Sequence, residues 1–255
     1  MLGCVSWSQL LICKERLSAK PSKGMKPETA NPLEGTVELS EGEMSLKLNF
    51  ERHELPGGKT IWVGRLPDAL LLNPGQFENL WGMHPEEFLE IRMMGRLVKT
   101  PRWQQAFGRD YPYSGQINKA LPIPGMLEPI LSWARASIQR NLNGILLNWY
   151  DGSHGHYIGR HRDSTRNMTV NAPIVTISFG EERIFRLRPW PVKSGVEPID
   201  FPARDGGVLL MPWKTNKLFT HEVPASTRQT GRRISVTIRS FLEELGLTSR
   251  RKNAL

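Results

Sequence analysis

The feature that most constrains this fold is a series of short apolar segments that fills the chain from Gly144 onward. The segments are rich in β-branched or aromatic residues and are bounded by Gly, Pro, Asp or Asn, as short strands usually are. The predicted strands are 145–150, 174–179, 183–187, 207–211, 219–223 and 234–241. Because no helical pattern separates them, an antiparallel sandwich or jelly roll is expected.

Helical patterns are confined to the front half of the chain. Apolar residues between 76 and 94 are spaced for one or two helices that break near Pro85. A clearer pattern covers 124–142, where Pro124 or Pro129 opens a stretch with one apolar face. Helices followed by a run of strands predict an α+β protein.

The chain divides into four parts. Residues 1–44 form a leader that we expect to be flexible, because residues 14–32 are rich in Lys, Ser and Pro and have little apolar surface to bury, while residues 1–13 form only a short apolar patch. Residues 45–143 form a helical N-terminal part, which opens at 45–51 with the alternation of a half-buried strand. Residues 144–245 form the jelly-roll core, and 246–255 form a basic tail.

Composition favours an intracellular protein. The two cysteines, Cys4 and Cys13, are too few for a disulfide-rich secreted scaffold or a zinc ribbon. The apolar runs are too short for a transmembrane helix, so no membrane association is expected. We expect a cytoplasmic or nuclear monomer, and organelle targeting by the leader or a start at Met25 are alternatives.

The chain carries an excess of positive charge. Lys and Arg number 34 against 25 Asp and Glu, which gives a formal net charge of +9. Such an excess favours an anionic partner such as nucleic acid. A solvated basic face without a specific partner is the alternative.

A candidate metal site lies in the strand-rich half. His161 and Asp163 are two positions apart, so in extended chain their side chains project to the same side and are able to bind one ion. His221 offers a third ligand. Two histidines and one carboxylate form the facial triad of non-haem Fe(II) oxygenases, which leaves coordination positions open. A surface His–Asp hydrogen bond and a buried core histidine are the structural alternatives.

A second candidate site follows from a strand in which polar and aliphatic residues alternate. One face of residues 233–239 carries the polar set Arg233, Ser235, Thr237 and Arg239. If this face points into a jelly roll, the guanidiniums require an anion, and a small dicarboxylate fits their bidentate geometry. Asn148 and Tyr150 are able to hydrogen-bond the same acid. Exposure of both polar sets to solvent is the alternative.

Taken in chain order, N-x-Y, H-x-D, a later His and R-x-S-x-T-x-R form a pattern that resembles the AlkB-like family of Fe(II)/2-oxoglutarate dioxygenases. Pro101-Arg102 and residues 111–115 resemble the family's nucleotide-recognition segment, and residues 172–180 with 183–185 resemble its strand pair after the iron-binding turn. The similarity covers about residues 70–242.

The resemblance implies a double-stranded β-helix with N-terminal helices and a nucleotide-recognition segment within 45–143. It implies that Fe(II) is bound by His161, Asp163 and His221. It also implies that the co-substrate 2-oxoglutarate is bound by Asn148, Tyr150, Arg233, Ser235 and Arg239. Dioxygen is the second co-substrate.

The function that the resemblance implies is oxidative demethylation of N-alkylated bases in DNA or RNA. The base is flipped or single-stranded, and the products are formaldehyde, succinate and CO2. Base stacking is assigned to Trp103 and Tyr113. Phosphate contacts are assigned to Arg160, Arg162, Arg166, Arg186 and Arg188.

Two positions depart from the family pattern, and both concern base recognition. Thr165 stands where many nucleic-acid demethylases have an acidic residue, and Ala106-Phe107-Gly108 replaces a W-Y-G motif. These departures keep open the first alternative, an oxygenase of the same core that modifies a protein side chain or a small molecule. A non-catalytic nucleic-acid-binding module is the second alternative.

Overall fold

The computed structural model describes residues 50–93, 95–113, 116–191 and 195–242. The leader at 1–44, most of the strand expected at 45–51 and the basic tail at 246–255 lie outside the described residues. Among the described residues, no helix is both long enough and apolar enough to span a membrane.

Three α-helices lie within the described part of the chain: α1 (Pro74–Trp81), α2 (Glu128–Ser137) and α3 (Trp213–Leu218). Helix α1 begins with a reciprocal capping box, in which the Asn73 side chain accepts from the Gln76 backbone and the Gln76 side chain accepts from Asn73. The helix predicted over 124–142 is shorter than expected, because a 3-10 turn at Gly125–Leu127 precedes α2.

The strands are β1 (Glu51–Leu55), β2 (Lys59–Arg65), β3 (Glu90–Met93), β4 (Arg96–Lys99), β5 (Trp103–Phe107), β6 (Tyr111–Tyr113), β7 (Gln116–Asn118), β8 (Ala120–Leu121), β9 (Gly144–Asp151), β10 (Ile158–His161), β11 (Ile174–Gly180), β12 (Arg183–Pro189), β13 (Ile199–Ala203), β14 (Gly207–Met211), β15 (Phe219–Val223) and β16 (Arg232–Arg239). An eight-stranded sheet has the order β1-β2-β14-β11-β16-β9-β5-β8, and a four-stranded sheet has the order β10-β15-β12-β13. The hairpins β3-β4 and β6-β7 form two further small sheets.

The two large sheets form a jelly roll, as predicted. Successive side chains of β16 point to opposite faces of the eight-stranded sheet, and the two faces pack in different apolar clusters. Ile234, Val236 and Ile238 pack with Leu80 of α1 and Leu131 of α2 on the outer face of the eight-stranded sheet. A second apolar cluster joins the inner faces of the two sheets: Leu146, Ile174, Leu209, Phe185, Leu187 and Phe201 are among its members. This two-layer packing leaves the polar residues of β16 between the sheets.

The structure corrects two details of the sequence prediction. The segment 90–93, expected to be helical, forms β3 because it pairs in register with β4 across a hairpin. The division at 143/144 cuts through one sheet, since β2 pairs with β14 and β5 pairs with β9. The N-terminal part therefore completes the large sheet of the core.

Candidate active site

Two side chains from the four-stranded sheet and one from the segment after β10 converge at one point. Strands β10 and β15 pair so that His161 lies opposite His221, and Asp163 follows two residues after His161. The Nε2 atoms of His161 and His221 lie 3.6 and 3.7 Å from Oδ1 of Asp163. One ligand atom of each residue lies within 4.8 Å of the other two. This geometry suits a single metal ion bound by two imidazoles and one carboxylate.

The two imidazoles are oriented by different contacts. Nδ1 of His161 lies 2.8 Å from the carbonyl oxygen of Gly159, so a proton on Nδ1 leaves the Nε2 lone pair available to a metal. Burial, followed by the neighbouring His221, lowers the pKa of His161 to about 4 against the opposing effect of Asp163. The ring of His221 stacks on Phe185 at 5.2 Å between centroids. A neutral His161 is the form that binds a metal.

The carboxylate of Asp163 is held in its anionic form. Burial by itself would raise its pKa, but the Arg239 guanidinium and the hydrogen bonds with His161 and His221 outweigh burial and hold the pKa well below its usual range. Nη2 of Arg239 donates to Oδ2 at 2.6 Å, and the Tyr111 hydroxyl lies 3.4 Å from Oδ1. Arg239, predicted to bind 2-oxoglutarate, is thus already paired with a member of the triad.

The backbone of Asp163 is fixed by Asn216, a residue that sequence reasoning missed. Oδ1 of Asn216 accepts from the Asp163 amide at 3.0 Å, and Nδ2 of Asn216 donates to the Asp163 carbonyl at 3.1 Å. Asn216 is almost fully buried on α3. Its separation of about fifty residues from Asp163 gives no local signal of the contact.

We predict that Asn216→Ala weakens Fe(II) binding about 10- to 100-fold, the range seen when a residue that supports a metal ligand is removed. The affinity is measured by titrating Fe(II) anaerobically into the full chain. Asn143→Ala is the matched control, because Asn143 also makes a reciprocal pair, with Phe241, away from the triad. Equal Fe(II) affinity in both variants and the wild type would contradict a positioning role for Asn216.

A cavity lies between the sheets next to the triad. Its polar lining comes from both sheets and from the segment that leads into β5: Arg102, Gln104, Asn148, Tyr150, His161, Asp163, Thr176, His221, Arg233, Ser235, Thr237 and Arg239. The register of β9 with β16 places Asn148 beside Ser235 and Tyr150 beside Arg233. All five residues predicted to bind 2-oxoglutarate therefore line one cavity with the triad.

Arg233 is the cavity-lining residue with the most buried donor nitrogens that lack a hydrogen-bond partner among the described residues. It is 1% exposed, and its Nη2 donates to the Ser178 hydroxyl at 2.8 Å. Its Nε and Nη1 are buried and make no hydrogen bond with the described residues. A buried guanidinium with two unpaired donor nitrogens is unfavourable unless an anion binds it. A carboxylate of 2-oxoglutarate has the charge and planar geometry to do so.

Arg102 is a third buried cation in the cavity, which sequence reasoning had assigned only to the recognition segment. Its Nε donates to Oδ1 of Asn148 at 2.7 Å, and its Nη2 donates to Oε1 of Gln104 at 2.9 Å. Nε2 of Gln104 is buried without a partner among the described residues. The i, i+2 spacing of Arg102 and Gln104 was the signal available in the sequence.

The family model described as the 2OG-Fe(II) oxygenase superfamily matches residues 78–239. The chain belongs to this superfamily. The match begins within α1, extends from β3 to β16 and includes all three triad residues. Membership confirms the predicted family, the jelly-roll fold and the cofactors of the class, which are Fe(II), 2-oxoglutarate and dioxygen. The triad and the unpaired nitrogens of Arg233 fit this cofactor set.

Relatives with curated names place the oxygenase among AlkB-like proteins. The chain is 29% identical over 160 residues to the human DNA oxidative demethylase ALKBH2, an alignment that covers 60% of this chain and 61% of that protein. It is 28% identical over 150 residues to the rat alpha-ketoglutarate-dependent dioxygenase alkB homolog 3, covering 55% of this chain and 50% of that protein. The alignments thus span about half to three fifths of these relatives.

A solved structure of OsALKBH1 superimposes on 74% of this chain and 100% of that chain, with a TM-score of 0.48 and 15% sequence identity.

The two aromatic residues assigned to base stacking are not among the described residues that line the cavity. Trp103 lies on the opposite face of β5 from Gln104, and its ring stacks with His84 at 4.1 Å and with Phe88 at 5.1 Å. These contacts argue against a base-stacking role for Trp103, because protein rings already stack on the indole. Tyr113 ends β6, and its side chain lies outside the described residues.

The arginines assigned to phosphate contacts separate into two groups. Arg186 forms a bidentate ion pair with Asp200, with both bonds at 2.6 Å, and Arg188 pairs with Glu222 at 3.1 Å. Antiparallel pairing places these acids on neighbouring strands. The charges of Arg186 and Arg188 are compensated, which argues against their assignment to phosphate. Arg160, Arg162 and Arg166 are exposed.

Proposed function

We propose that this oxygenase removes N-linked alkyl groups from nucleobases in DNA or RNA by oxidation. The observation that carries the proposal is the buried triad beside a cavity in which Arg233 has two donor nitrogens without a partner among the described residues. The human relative is named a DNA oxidative demethylase, which supports a nucleobase as the substrate. The net charge of +9 supports an anionic partner.

The three triad residues would hold Fe(II) from one side and leave its other positions open to co-substrate and dioxygen. Bound there, the metal supplies dioxygen activation coupled to conversion of 2-oxoglutarate to succinate and CO2. Hydroxylation of an N-methyl group gives a hemiaminal, which releases formaldehyde.

The remaining cavity residues bind and orient. Arg233 would pair with a carboxylate of 2-oxoglutarate, and Ser235 and Tyr150 offer hydroxyls beside it. Arg239 keeps Asp163 anionic by donating to Oδ2, which leaves Oδ1 on the side of the two histidines. Because the cavity is enclosed by two sheets, a base inside a duplex has to be extruded to reach it, and an unpaired base enters more readily.

A second candidate function is hydroxylation or demethylation of a protein side chain or small molecule by the same core. The neutralised pairs Arg186–Asp200 and Arg188–Glu222 favour it, because they leave fewer charges for a polyanion than the sequence predicted. A non-catalytic binding module is disfavoured, because the triad is complete and convergent.

The deciding experiment is a turnover screen with Fe(II) and 2-oxoglutarate. Methylated single- and double-stranded DNA and RNA are compared with methylated peptides and methylated nucleosides. The proposal expects formaldehyde and succinate in equal amounts from an oligonucleotide, and none without added iron. Product from peptides alone would establish the second function instead.

The two groups of arginines predict different effects on salt dependence. Binding of an oligonucleotide should weaken linearly in a log–log plot against salt, with a slope of about −0.7 for each phosphate contact on a single strand. The double variant Arg186→Gln/Asp200→Asn removes an ion pair without changing net charge, so we expect an unchanged slope. A slope that falls in magnitude by about 0.7, the value for one phosphate contact, would show that Arg186 contacts phosphate.

A further inference from the structure

The outer face of the four-stranded sheet carries an exposed aromatic residue among cations. Trp190 follows β12 and is 43% exposed. The guanidiniums of Arg160 and Arg162 lie over its ring, at 5.9 and 5.2 Å from the centroid. The exposed Lys217, at the end of α3, accepts from Arg162 through its carbonyl at 3.0 Å, and its ammonium lies 5.2 Å from the centroid of the neighbouring Trp213 ring. These four residues are called the Trp190 patch.

The charge of the patch is not compensated by acids. Nε of Arg160 donates to the hydroxyl of Thr220 at 2.9 Å, and Arg162 donates to a backbone carbonyl. Both partners are neutral, and neither arginine has an ion pair with a carboxylate in the part of the chain that the structure describes. On the same sheet, Arg186 and Arg188 are both neutralised. Positive charge is therefore concentrated at the end of this sheet that carries Trp190.

The patch is also preformed. The amide of Trp190 donates to the carbonyl of Leu218 at 2.7 Å, which ties the residue to the end of α3. The hydrogen bonds of Arg160 and Arg162 fix their side chains before any ligand arrives. A site whose side chains are already ordered loses less conformational entropy on binding.

Strand geometry connects the patch to the triad. Arg160 lies in β10 and Arg162 directly follows its last residue, His161, and side chains alternate between the two faces of extended chain. His161 accordingly lines the cavity, while its neighbours lie over Trp190 on the outer surface. A polymer bound to the patch is held by the same strand that carries a triad residue.

We propose that the Trp190 patch binds a single-stranded segment of the nucleic acid, next to the nucleotide that enters the cavity. Arg160, Arg162 and Lys217 contact phosphates, and an unpaired base stacks on the indole of Trp190. Phosphate contact alone needs no aromatic residue, and a duplex hides the faces of its bases, so an exposed indole among cations fits an unpaired strand. The inference deepens the proposed function and rests on it for the nature of the substrate.

The test is binding of the full chain to a fluorescently labelled, unmethylated 12-mer of thymidine, followed by anisotropy over a salt series. Trp190→Ala should weaken binding roughly 5- to 150-fold with little change in the salt slope, because stacking releases few counterions. Trp190→Phe should retain most of the affinity. Arg160→Gln/Arg162→Gln should reduce the slope by about 1.4 in magnitude, at about 0.7 for each contact.

The control removes two exposed arginines at the other side of the fold. Arg65 ends β2 and Arg140 follows α2, and neither has an ion pair with a carboxylate among the described residues, so Arg65→Gln/Arg140→Gln lowers net charge equally without touching the patch. Its slope should stay close to that of the wild type. An equal loss of slope in both double variants would overturn the patch, because it would show that net charge alone drives binding.

Two further outcomes separate the patch from the proposed function. Wild-type affinity in Trp190→Ala, or no measurable binding of the single strand by the wild type at low salt, overturns the patch even if methylated oligonucleotides are demethylated. Loss of strand binding in Trp190→Ala, with rescue in Trp190→Phe, supports the patch even if no oligonucleotide yields formaldehyde. The absence of formaldehyde would overturn only the proposed demethylase function. Melting temperatures of the variants identify any loss that reflects misfolding.

Discussion

His221→Ala is expected to abolish 2-oxoglutarate turnover while leaving the protein folded. The substitution removes one of three convergent metal ligands, and catalysis at an open site needs the full set to fix its geometry. Nδ1 of His221 makes no hydrogen bond with any described residue, so no described partner of that nitrogen is left buried and unpaired. We expect succinate production to fall by more than about 100-fold at saturating Fe(II).

The choice of His221 over Asp163 follows from Arg239. Asp163→Ala would leave a fully buried guanidinium without its partner, and breaking a buried ion pair costs about 3–5 kcal/mol of stability. Loss of activity in that variant would therefore mix two effects. His154→Ala is the matched control, since His154 is an exposed histidine outside the triad. Wild-type turnover in a folded His221→Ala protein would refute the assignment of the triad as the iron site.

Arg233→Gln is expected to raise the KM for 2-oxoglutarate by roughly thirtyfold or more, with little effect on the KM for the substrate that is oxidised. Removing one partner of a buried charge pair costs about 2–5 kcal/mol of binding free energy, and the lower bound corresponds to that factor. Arg233→Lys should rescue only in part, because an ammonium lacks the planar fork that pairs with a carboxylate. The measurement is steady-state kinetics with each co-substrate varied in turn.

The same variant makes an opposite prediction for stability without ligand. Nε and Nη1 of Arg233 lack partners among the described residues, so replacing the buried charge should leave the melting temperature unchanged or raise it. The wild type should gain stability when 2-oxoglutarate is added, and Arg233→Gln should gain much less. Arg232→Gln is the control, because Arg232 is a more exposed neighbour on the same strand and pairs with Glu78. An unchanged KM for 2-oxoglutarate in Arg233→Gln would contradict the proposed role.

The candidate site was largely predictable because its signals are local. Residues two apart on a strand share a face, so H-x-D, N-x-Y and R-x-S-x-T-x-R each specified a set of side chains that point together. The structure bears out this alternation along β16, where Ile234 packs in the helix-side core and Ser235 lines the cavity. Ligand chemistry then limited what each set was able to bind.

Predictions that depended on longer-range pairing were less successful. The periodicity of 76–94 favoured helix throughout, but β3 forms because its pairing with β4 outweighs a local preference. Trp103 was a plausible stacking residue by type, yet the alternation of β5 turns it toward His84 and Phe88. The sequence contained the alternation but not the identity of the neighbours.

The sequence by itself determined the fold class and the residues that share each strand face, because both follow from a two-residue period and from turn residues between strands. Only the tertiary structure decided which partner each charged side chain has. Asp163 is joined to Arg239 and Asn216, Arg186 is joined to Asp200, and two nitrogens of Arg233 have no partner in the described part of the chain. The physical reason is strand register: it places residues far apart in the chain within hydrogen-bond distance, and a shift of one residue would exchange every neighbour.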